Sequence, residues 1–344
     1  MAETALADRY DALLLDLDGT VVLAGKPIPH AAEVLQRLHN SGPRTMVVTN
    51  NASRSPETVS AHLAELGIAI DPADVISSPL AAARMLAQAH HRGDPVLVVG
   101  AQALADAVSA TGLTPVRRAA DHPVAVVQGH DPDTCWHDLA EACIALRAGA
   151  DWVATNTDVT LPTDRGLLPG NGALVQALVT ATGLHPRVAG KPARPLLDAA
   201  VERAAAQRPL VVGDRLETDI AAAVAAGLPS LMVLTGVSTP TELLAAPAER
   251  RPTAVAVDLR GLVDSTMVAM LDDSDGHERR DGWDITVSGG RLELRSEAGG
   301  TPISALGALA VQAWATGMTD VRAGDDEAAA ALTELGLSAG SGGR

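Results

Sequence analysis

The run Leu13-Leu14-Leu15-Asp16-Leu17-Asp18-Gly19-Thr20 constrains this chain more than any other stretch. An unbroken apolar segment ending in acids predicts a strand buried on both faces of a parallel sheet. It delivers two carboxylates to the C-terminal edge, where open α/β sheets place their ligands. Side chains alternate along a strand, so Asp16 and Asp18 would share a side with Leu17 between them, and Gly19 lets the chain turn away. Two acids on one edge suit a cation. The same octapeptide also reads as a strand entering an Asp-Gly turn, so the decision rests on what lies downstream.

Downstream, the pattern repeats. Ala31, Val34, Leu35 and Leu38 fall at helical spacing within His30 to Asn40, and Ser41-Gly42-Pro43 stops that helix. Thr45-Met46-Val47-Val48 then predicts a second buried strand, ending in Thr49-Asn50-Asn51. This is a βαβ unit, right-handed by default. Ser55-Pro56 opens a further helix, with Val59, Leu63 and Leu66 on its buried face and Gly67 at its end. From Pro79 to Arg187 a separate α/β unit is expected, with strands at Val96 to Gly100, Val124 to Gln128 and Trp152 to Thr155. A loop rich in Gly and Pro follows over Leu161 to Gly172, then a helix from Ala173 to Thr182. After Val188-Ala189-Gly190-Lys191-Pro192 the first pattern returns: a helix over Pro195 to Ala206, then the strand Leu210-Val211-Val212 running into Gly213-Asp214-Arg215-Leu216-Glu217-Thr218-Asp219. An Ala-rich helix to Gly227 and the strand Leu231 to Leu234 complete it.

Apolar strands thus end in Asp16 and Asp18, in Thr49 and in Asp214, with Lys191 near a helix start. Carboxylates suit a hard cation, a hydroxyl and backbone amides suit phosphoryl oxygens, and a lysine suits their charge. Composition agrees with a globular protein that handles a small anion. At 344 residues the chain is long enough for two or three domains, and 47% hydrophobic residues supply their cores. Aromatics are 1% with no Phe, so those cores must rest on Ala, Val, Leu and Ile. A net charge of −16 repels nucleic acid and anionic membranes. There is no apolar stretch of the signal-peptide kind at the start and no window near the roughly 20 apolar residues of a membrane span, so a cytoplasmic protein is expected. Cys135 and Cys143 lack metal-ligand spacing and read as two buried thiols on one helix in a reducing compartment.

Asp16-Leu17-Asp18-Gly19-Thr20, Thr49-Asn50-Asn51, Gly190-Lys191-Pro192 and Gly213-Asp214-Arg215 through Asp219 resemble, in order, the four motifs of the haloacid dehalogenase superfamily. The short stretch between Thr20 and Thr49 leaves no room for a large insertion, whereas the one from Thr49 to Lys191 holds one. That layout is similar to the branch with an α/β cap between the second and third motifs, the p-nitrophenylphosphate, phosphoglycolate and glycerol-phosphate phosphatases. Asn156-Thr157-Asp158, Leu161-Pro162-Thr163 and Arg165 through Gly172 resemble its cap signature.

The resemblance implies an α/β fold: a Rossmann-like parallel sheet core with helices on both faces, an inserted α/β cap and a small α+β C-terminal unit. The boundaries would be 10–78 and 188–258 for the core, 79–187 for the cap, 259–281 for a linker, 282–337 for the C-terminal unit and 338–344 for a flexible end. It implies a Mg²⁺-dependent phosphomonoester hydrolase working through an aspartyl-phosphate on a small organic phosphate. Glycerol 3-phosphate comes first, with phosphoglycolate or another small metabolite as the alternative. A non-catalytic module sensing a phosphate metabolite is the alternative from a different class. No nucleic-acid or membrane partner is expected, and a homodimer is left open. Asp16 would be the nucleophile and Asp18 the acid and base. Asp16, the backbone carbonyl of Asp18 and Asp214 would hold the metal, and Lys191 would balance charge. Asp219 would orient Lys191 or a metal water, or merely cap a helix, as Thr49 would otherwise cap a strand end. Thr49, Asn50 and Asn51 would bind the phosphoryl group. Asn156, Asp158, Gly170, Asn171 and Gly172 would meet the far end of the substrate, through backbone amides near Gly170 to Gly172. After Leu271 the chain turns charged. Trp283 to Val287 and Arg291 to Arg295 then alternate as a hairpin around Ser288-Gly289-Gly290, and helices are expected near Ile303 to Thr316 and Asp326 to Leu335. This β-β-α-β-α order suggests a remnant of an acetyltransferase-like fold without its glycine-rich pyrophosphate loop, in a structural or interface role.

Overall fold

A computed structural model describes residues 4–163, 165–271, 282–297 and 299–337. The expected flexible end 338–344 and the charged part of the expected linker, 272–281, lie outside them. The chain divides into two compact units, one comprising Met1–Thr45, Leu66–Ile68 and Ala206–Arg344, the other Met46–Glu65 and Ala69–Ala205.

In the first unit the strand Ala12–Leu15 pairs in parallel with Pro209–Gly213. That strand pairs with Ser230–Val233, which in turn pairs with Ala254–Ala256. Leu13, Leu14 and Leu15 are fully buried, as are Leu210 and Val212, which is why these strands are continuous apolar runs rather than alternating ones. On the other side of Ala12–Leu15, the Arg44 N–H donates to the Asp11 carbonyl at 3.1 Å where the strand Arg44–Thr49 begins. The first part of the expected linker is ordered structure. Val268–Met270 is an antiparallel edge strand on Ala254–Ala256, preceded by short 3₁₀ turns at Leu259–Leu262 and Ser265–Met267. Three residues are too few for a periodicity to distinguish from a connection.

The C-terminal segment has the expected β-β-α-β-α order. Trp283–Ser288 and Arg291–Ser296 form the hairpin, and Val321–Ala323 adds in parallel to the latter. Gly289 and Gly290 both take positive φ (60° and 78°), the geometry a two-residue turn needs to match strand twist. The helix Pro302–Thr316 is capped by the Thr301 hydroxyl, which accepts from Ser304 N–H at 3.2 Å. Its core is not private to the segment. Trp283, Ile285, Leu292, Leu306 and Leu309 form one apolar cluster with Leu216, Met232, Leu243 and Leu244. Trp314 also donates its indole N–H to the Leu243 carbonyl at 2.9 Å. Trp283→Ala is therefore expected to cost about 3–5 kcal/mol in urea unfolding and to shift the transition of the whole unit. An early, separate transition would show instead that this segment folds alone.

In the second unit the end of Arg44–Thr49 pairs in parallel with Val75–Ser77. A five-stranded parallel sheet runs in the order Arg187–Val188, Asp151–Ala154, Ala125–Gln128, Pro95–Val99, Thr114–Val116. Its three central strands are those the apolar runs predict. The two outer strands are short and carry little buried apolar surface, so no pattern announces them. The expected loop over Leu161 to Gly172 is instead an antiparallel hairpin, Thr160–Thr163 with Gly166–Pro169, and the helix begins at Asn171. Leu161, Leu167 and Leu168 are exposed, so the hairpin shows no in-out alternation. The cysteines are not both buried: Cys135 is exposed at the N-cap of Trp136–Arg147 and Cys143 is half-buried, because the helix buries Ala142, Ala145 and Leu146. Among the described residues no helix is long and apolar enough to cross a membrane.

Candidate active site

In the first unit the sheet edge gathers acids. The Asp16 N–H donates to the Val212 carbonyl at 2.8 Å, holding Asp16 in register as the strand ends. The Leu17 carbonyl accepts from Val21 and Val22 N–H, and Gly19, at φ +102°, donates to the Val22 carbonyl at 2.7 Å. This tight loop buries Leu17 and leaves Asp16 half-buried and Asp18 exposed. Asp214 and Asp219 are both buried. The Asp214 Oδ2 accepts from Val237 N–H at 2.7 Å, and the Asp219 Oδ2 accepts from Arg215 N–H at 3.1 Å.

Asp16, Asp214 and Asp219 each present a carboxylate oxygen within 4.8 Å of the others. Like charges this close repel, and a hard divalent cation is what makes such a set stable. The donor set is all oxygen, the preference of Mg²⁺, Mn²⁺ and Ca²⁺. The surroundings are cut to the carboxylates. A Cβ on Gly19 would stand 2.5 Å from Asp214 Oδ2, one on Gly236 would overlap the same carboxylate, and one on Gly213 would overlap Asp219. The Thr235 hydroxyl donates to the Gly19 carbonyl at 2.6 Å, tying these loops together. The residues fit a metal. Asp219 bonds the turn that follows Asp214 and lies with the carboxylate group, while the Asp18 side chain stands outside it.

In the second unit a carboxamide lies against Lys191, which is 3% exposed. The Asn50 Oδ1 accepts from Lys191 N–H at 2.8 Å and its Nδ2 donates to the Lys191 carbonyl at 3.0 Å. The Lys191 Nζ donates to the Val48 carbonyl at 3.0 Å. Asn156 and Ser78 both donate to the Asn50 carbonyl, at 2.9 and 2.7 Å. Thr49 is buried, and its Oγ1 accepts from Asn51 N–H at 3.0 Å, as a strand-end turn does; its own O–H remains a donor. The Asn51 Oδ1 is taken by the N–H and hydroxyl of Ser53, so its side chain shapes the loop.

The cap residues behave differently from the expectation. The amides of Gly170 and Gly172 do not face outward: they donate to the Val159 and Asp158 carbonyls, both at 2.8 to 2.9 Å. A Cβ on either glycine would overlap the carbonyls of Asp158 or Thr157, so these glycines serve close backbone packing. Asn171 is buried, with its Nδ2 donating to the Asn156 carbonyl at 2.7 Å. Asp158 lies near the lysine group, its Oδ2 3.4 Å from Asn50 Nδ2. Sequence reasoning passed over Ser78 and the Thr235-Gly236 pair. The latter follows an apolar strand that turns polar at its end, the same signal that marks Asp16, Thr49 and Asp214.

Models of hydrolase families match two stretches of the chain: a haloacid dehalogenase-like hydrolase over residues 13–114 and a HAD-hydrolase-like family over 188–262. The D-glycerol 3-phosphate phosphatase of Mycobacterium tuberculosis is 47% identical over 97% of this chain and 96% of its own. The chain belongs to the haloacid dehalogenase-like hydrolases. A 5′-nucleotidase of Bacillus subtilis is 36% identical over 67% of this chain and 89% of its own. Among solved structures, the M. tuberculosis glycerol phosphate phosphatase in complex with magnesium superposes with a TM-score of 0.89 at 47% identity, over 97% of this chain and 99% of that one. A p-nitrophenyl phosphatase of Archaeoglobus fulgidus reaches 0.69 at 27% identity, over 74% and 99%. Residues 280–337 match a GCN5-related N-acetyltransferase-like domain, in keeping with the order of strands and helices there.

Proposed function

We propose that this hydrolase is a Mg²⁺-dependent phosphomonoesterase whose substrate is glycerol 3-phosphate. The observation that carries the reading is the convergence of Asp16, Asp214 and Asp219 at the end of buried strands. The choice of substrate rests on the 47% identity to the M. tuberculosis phosphatase, which extends across the cap and the C-terminal segment. When bound, Mg²⁺ would be held by Asp16, the Asp18 carbonyl and Asp214, with Asp219 beside them, and would offset the charge of the phosphate dianion. Asp16 supplies the nucleophilic oxygen. Its bond to phosphorus forms as the bond to the glycerol oxygen breaks, and Asp18 gives that oxygen a proton. Water then attacks the aspartyl-phosphate, Asp18 takes the water's proton, and phosphate and free Asp16 result. The Thr49 hydroxyl and the Asn50 amide bind phosphoryl oxygens, and Lys191 neutralises them. A purely sensing module would need neither an acid at Asp18 nor a nucleophile at Asp16. The setting is cytoplasmic, and the exposed Val159, Leu161, Leu167 and Leu168 suit a homodimer contact.

The test is phosphate release from glycerol 3-phosphate, phosphoglycolate, a 5′-nucleotide and p-nitrophenyl phosphate, with Mg²⁺ and with EDTA. Glycerol 3-phosphate is expected to give the highest kcat/KM, and EDTA to abolish release. Preference for phosphoglycolate would replace the substrate, and no release from any of them would end the phosphatase reading.

A further inference from the structure

We propose that Asn50 is a positioning residue for Lys191, and that Asn156 and Asn171 extend its hold into the cap sheet. This rests on the reading that Lys191 neutralises the phosphoryl group. The Asn50 carboxamide meets the Lys191 backbone at both its N–H and its carbonyl, at 2.8 and 3.0 Å, as a neighbouring strand would. A side chain that satisfies both backbone groups of one residue fixes that residue's plane and direction, and with it the start of the lysine stem. There is no slack on the approach. A Cβ on Gly190 would stand 2.5 Å from Asn50 Oδ1 and 2.6 Å from the Thr155 carbonyl, so Gly190 lets the two segments close. Asn50 is itself held: its carbonyl accepts from Asn156 Nδ2 and from the Ser78 hydroxyl. The Asn156 carbonyl accepts from Asn171 Nδ2, whose other neighbour, at 3.5 Å, is the Gln128 carbonyl at the end of a cap strand. Three carboxamides thus run in series from the cap sheet to the lysine, and none of their bonds is to the lysine's own Nζ.

The chain offers an unusually clean readout. It contains two lysines, Lys26 and Lys191, the first exposed and the second buried. Acylation with an amine-reactive ester, followed by mass spectrometry, therefore reports the packing of Lys191 against Lys26 as an internal standard. Asn50→Ala keeps the backbone N–H assigned to the phosphoryl group and removes the clamp, together with the 3.4 Å contact to Asp158. It is expected to raise the labelling of Lys191 relative to Lys26 and to lower kcat by about 10²-fold, the cost of misplacing a charge by about an ångström. In a Lys191→Met background the same substitution should change kcat by less than about twofold, because residues that act as one unit are not additive. If Asn50→Ala fails to fold, Asn50→Asp keeps the volume and the bond to Lys191 N–H, loses the bond to the carbonyl, and enters the same cycle. Equal losses in both backgrounds, or labelling of Lys191 that stays at the wild-type level, would overturn the proposal. Labelling needs no turnover, so the clamp is tested even if the wild-type protein releases no phosphate, an outcome that would instead refute the phosphatase reading.

Discussion

Asp16→Asn is expected to lower turnover at saturating Mg²⁺ by at least about 10³-fold, with the fold intact. The amide has the shape of the carboxylate, and the Asp16 N–H bond to the Val212 carbonyl that holds the position is a backbone contact and survives. What is lost is the charged oxygen that, in the proposed mechanism, attacks phosphorus. The geometry adds a second, separable consequence. Asp16 shares its site with Asp214 and Asp219, their oxygens within 4.8 Å, so three charges repel when no cation is present. Neutralising one relieves that repulsion. In EDTA the variant should therefore unfold at higher urea than the wild type, while in Mg²⁺ the order should narrow or reverse because the variant binds the ion less well. Single-turnover kinetics and paired urea titrations check both. Activity within tenfold of wild type would exclude a covalent step at Asp16, and lower stability in EDTA would mean that the three acids are not in mutual contest.

How much of this was legible depends on what each signal costs to write in sequence. A strand buried on both faces must be apolar throughout, so Leu13 to Leu15 and Leu210 to Val212 announce themselves, and so does the abrupt change to acids at their ends. Asp219 was harder. An acid just after a strand serves a turn or a metal equally well, and only the fold shows where it lies, with Arg215 N–H on one oxygen and two carboxylates nearby. Asn171 was legible as important but not in its role. Burial turns a polar side chain from a ligand group into a backbone anchor, and burial depends on the hairpin before it, whose exposed Leu167 and Leu168 carry no periodicity. Asn50 shows the same limit: its backbone N–H belongs to a recognisable motif, but its carboxamide meets a residue 141 positions away. The C-terminal hairpin could be read from alternation and Gly289-Gly290. Its sharing of a core with Leu216 and Leu243 could not, because apolar faces do not name their partners.

Asp18→Asn should separate substrates by their leaving groups. Leu17 turns inward between the two acids, and Asp18 stands exposed and outside the group formed by Asp16, Asp214 and Asp219. Its carboxylate is the one to which the proposed mechanism gives the proton transfer, and the backbone carbonyl assigned to the metal is untouched by the substitution. Glycerol leaves as an alkoxide that needs a proton as the phosphorus bond breaks, whereas p-nitrophenolate leaves unaided. The first chemical step on glycerol 3-phosphate should therefore slow by about 10² to 10⁴-fold, the range general acid catalysis supplies, with a much smaller loss on p-nitrophenyl phosphate. Steady-state rates would hide the difference, since the second step needs Asp18 as base whichever alcohol has left. In rapid mixing the variant should instead release a burst of nitrophenolate equal to the enzyme and then stall, because phosphate accumulates on Asp16. Mixing with glycerol 3-phosphate should show no such burst. Equal slowing of the first step on both substrates would assign the proton to another group and leave Asp18 as a contributor to the metal site through its backbone alone.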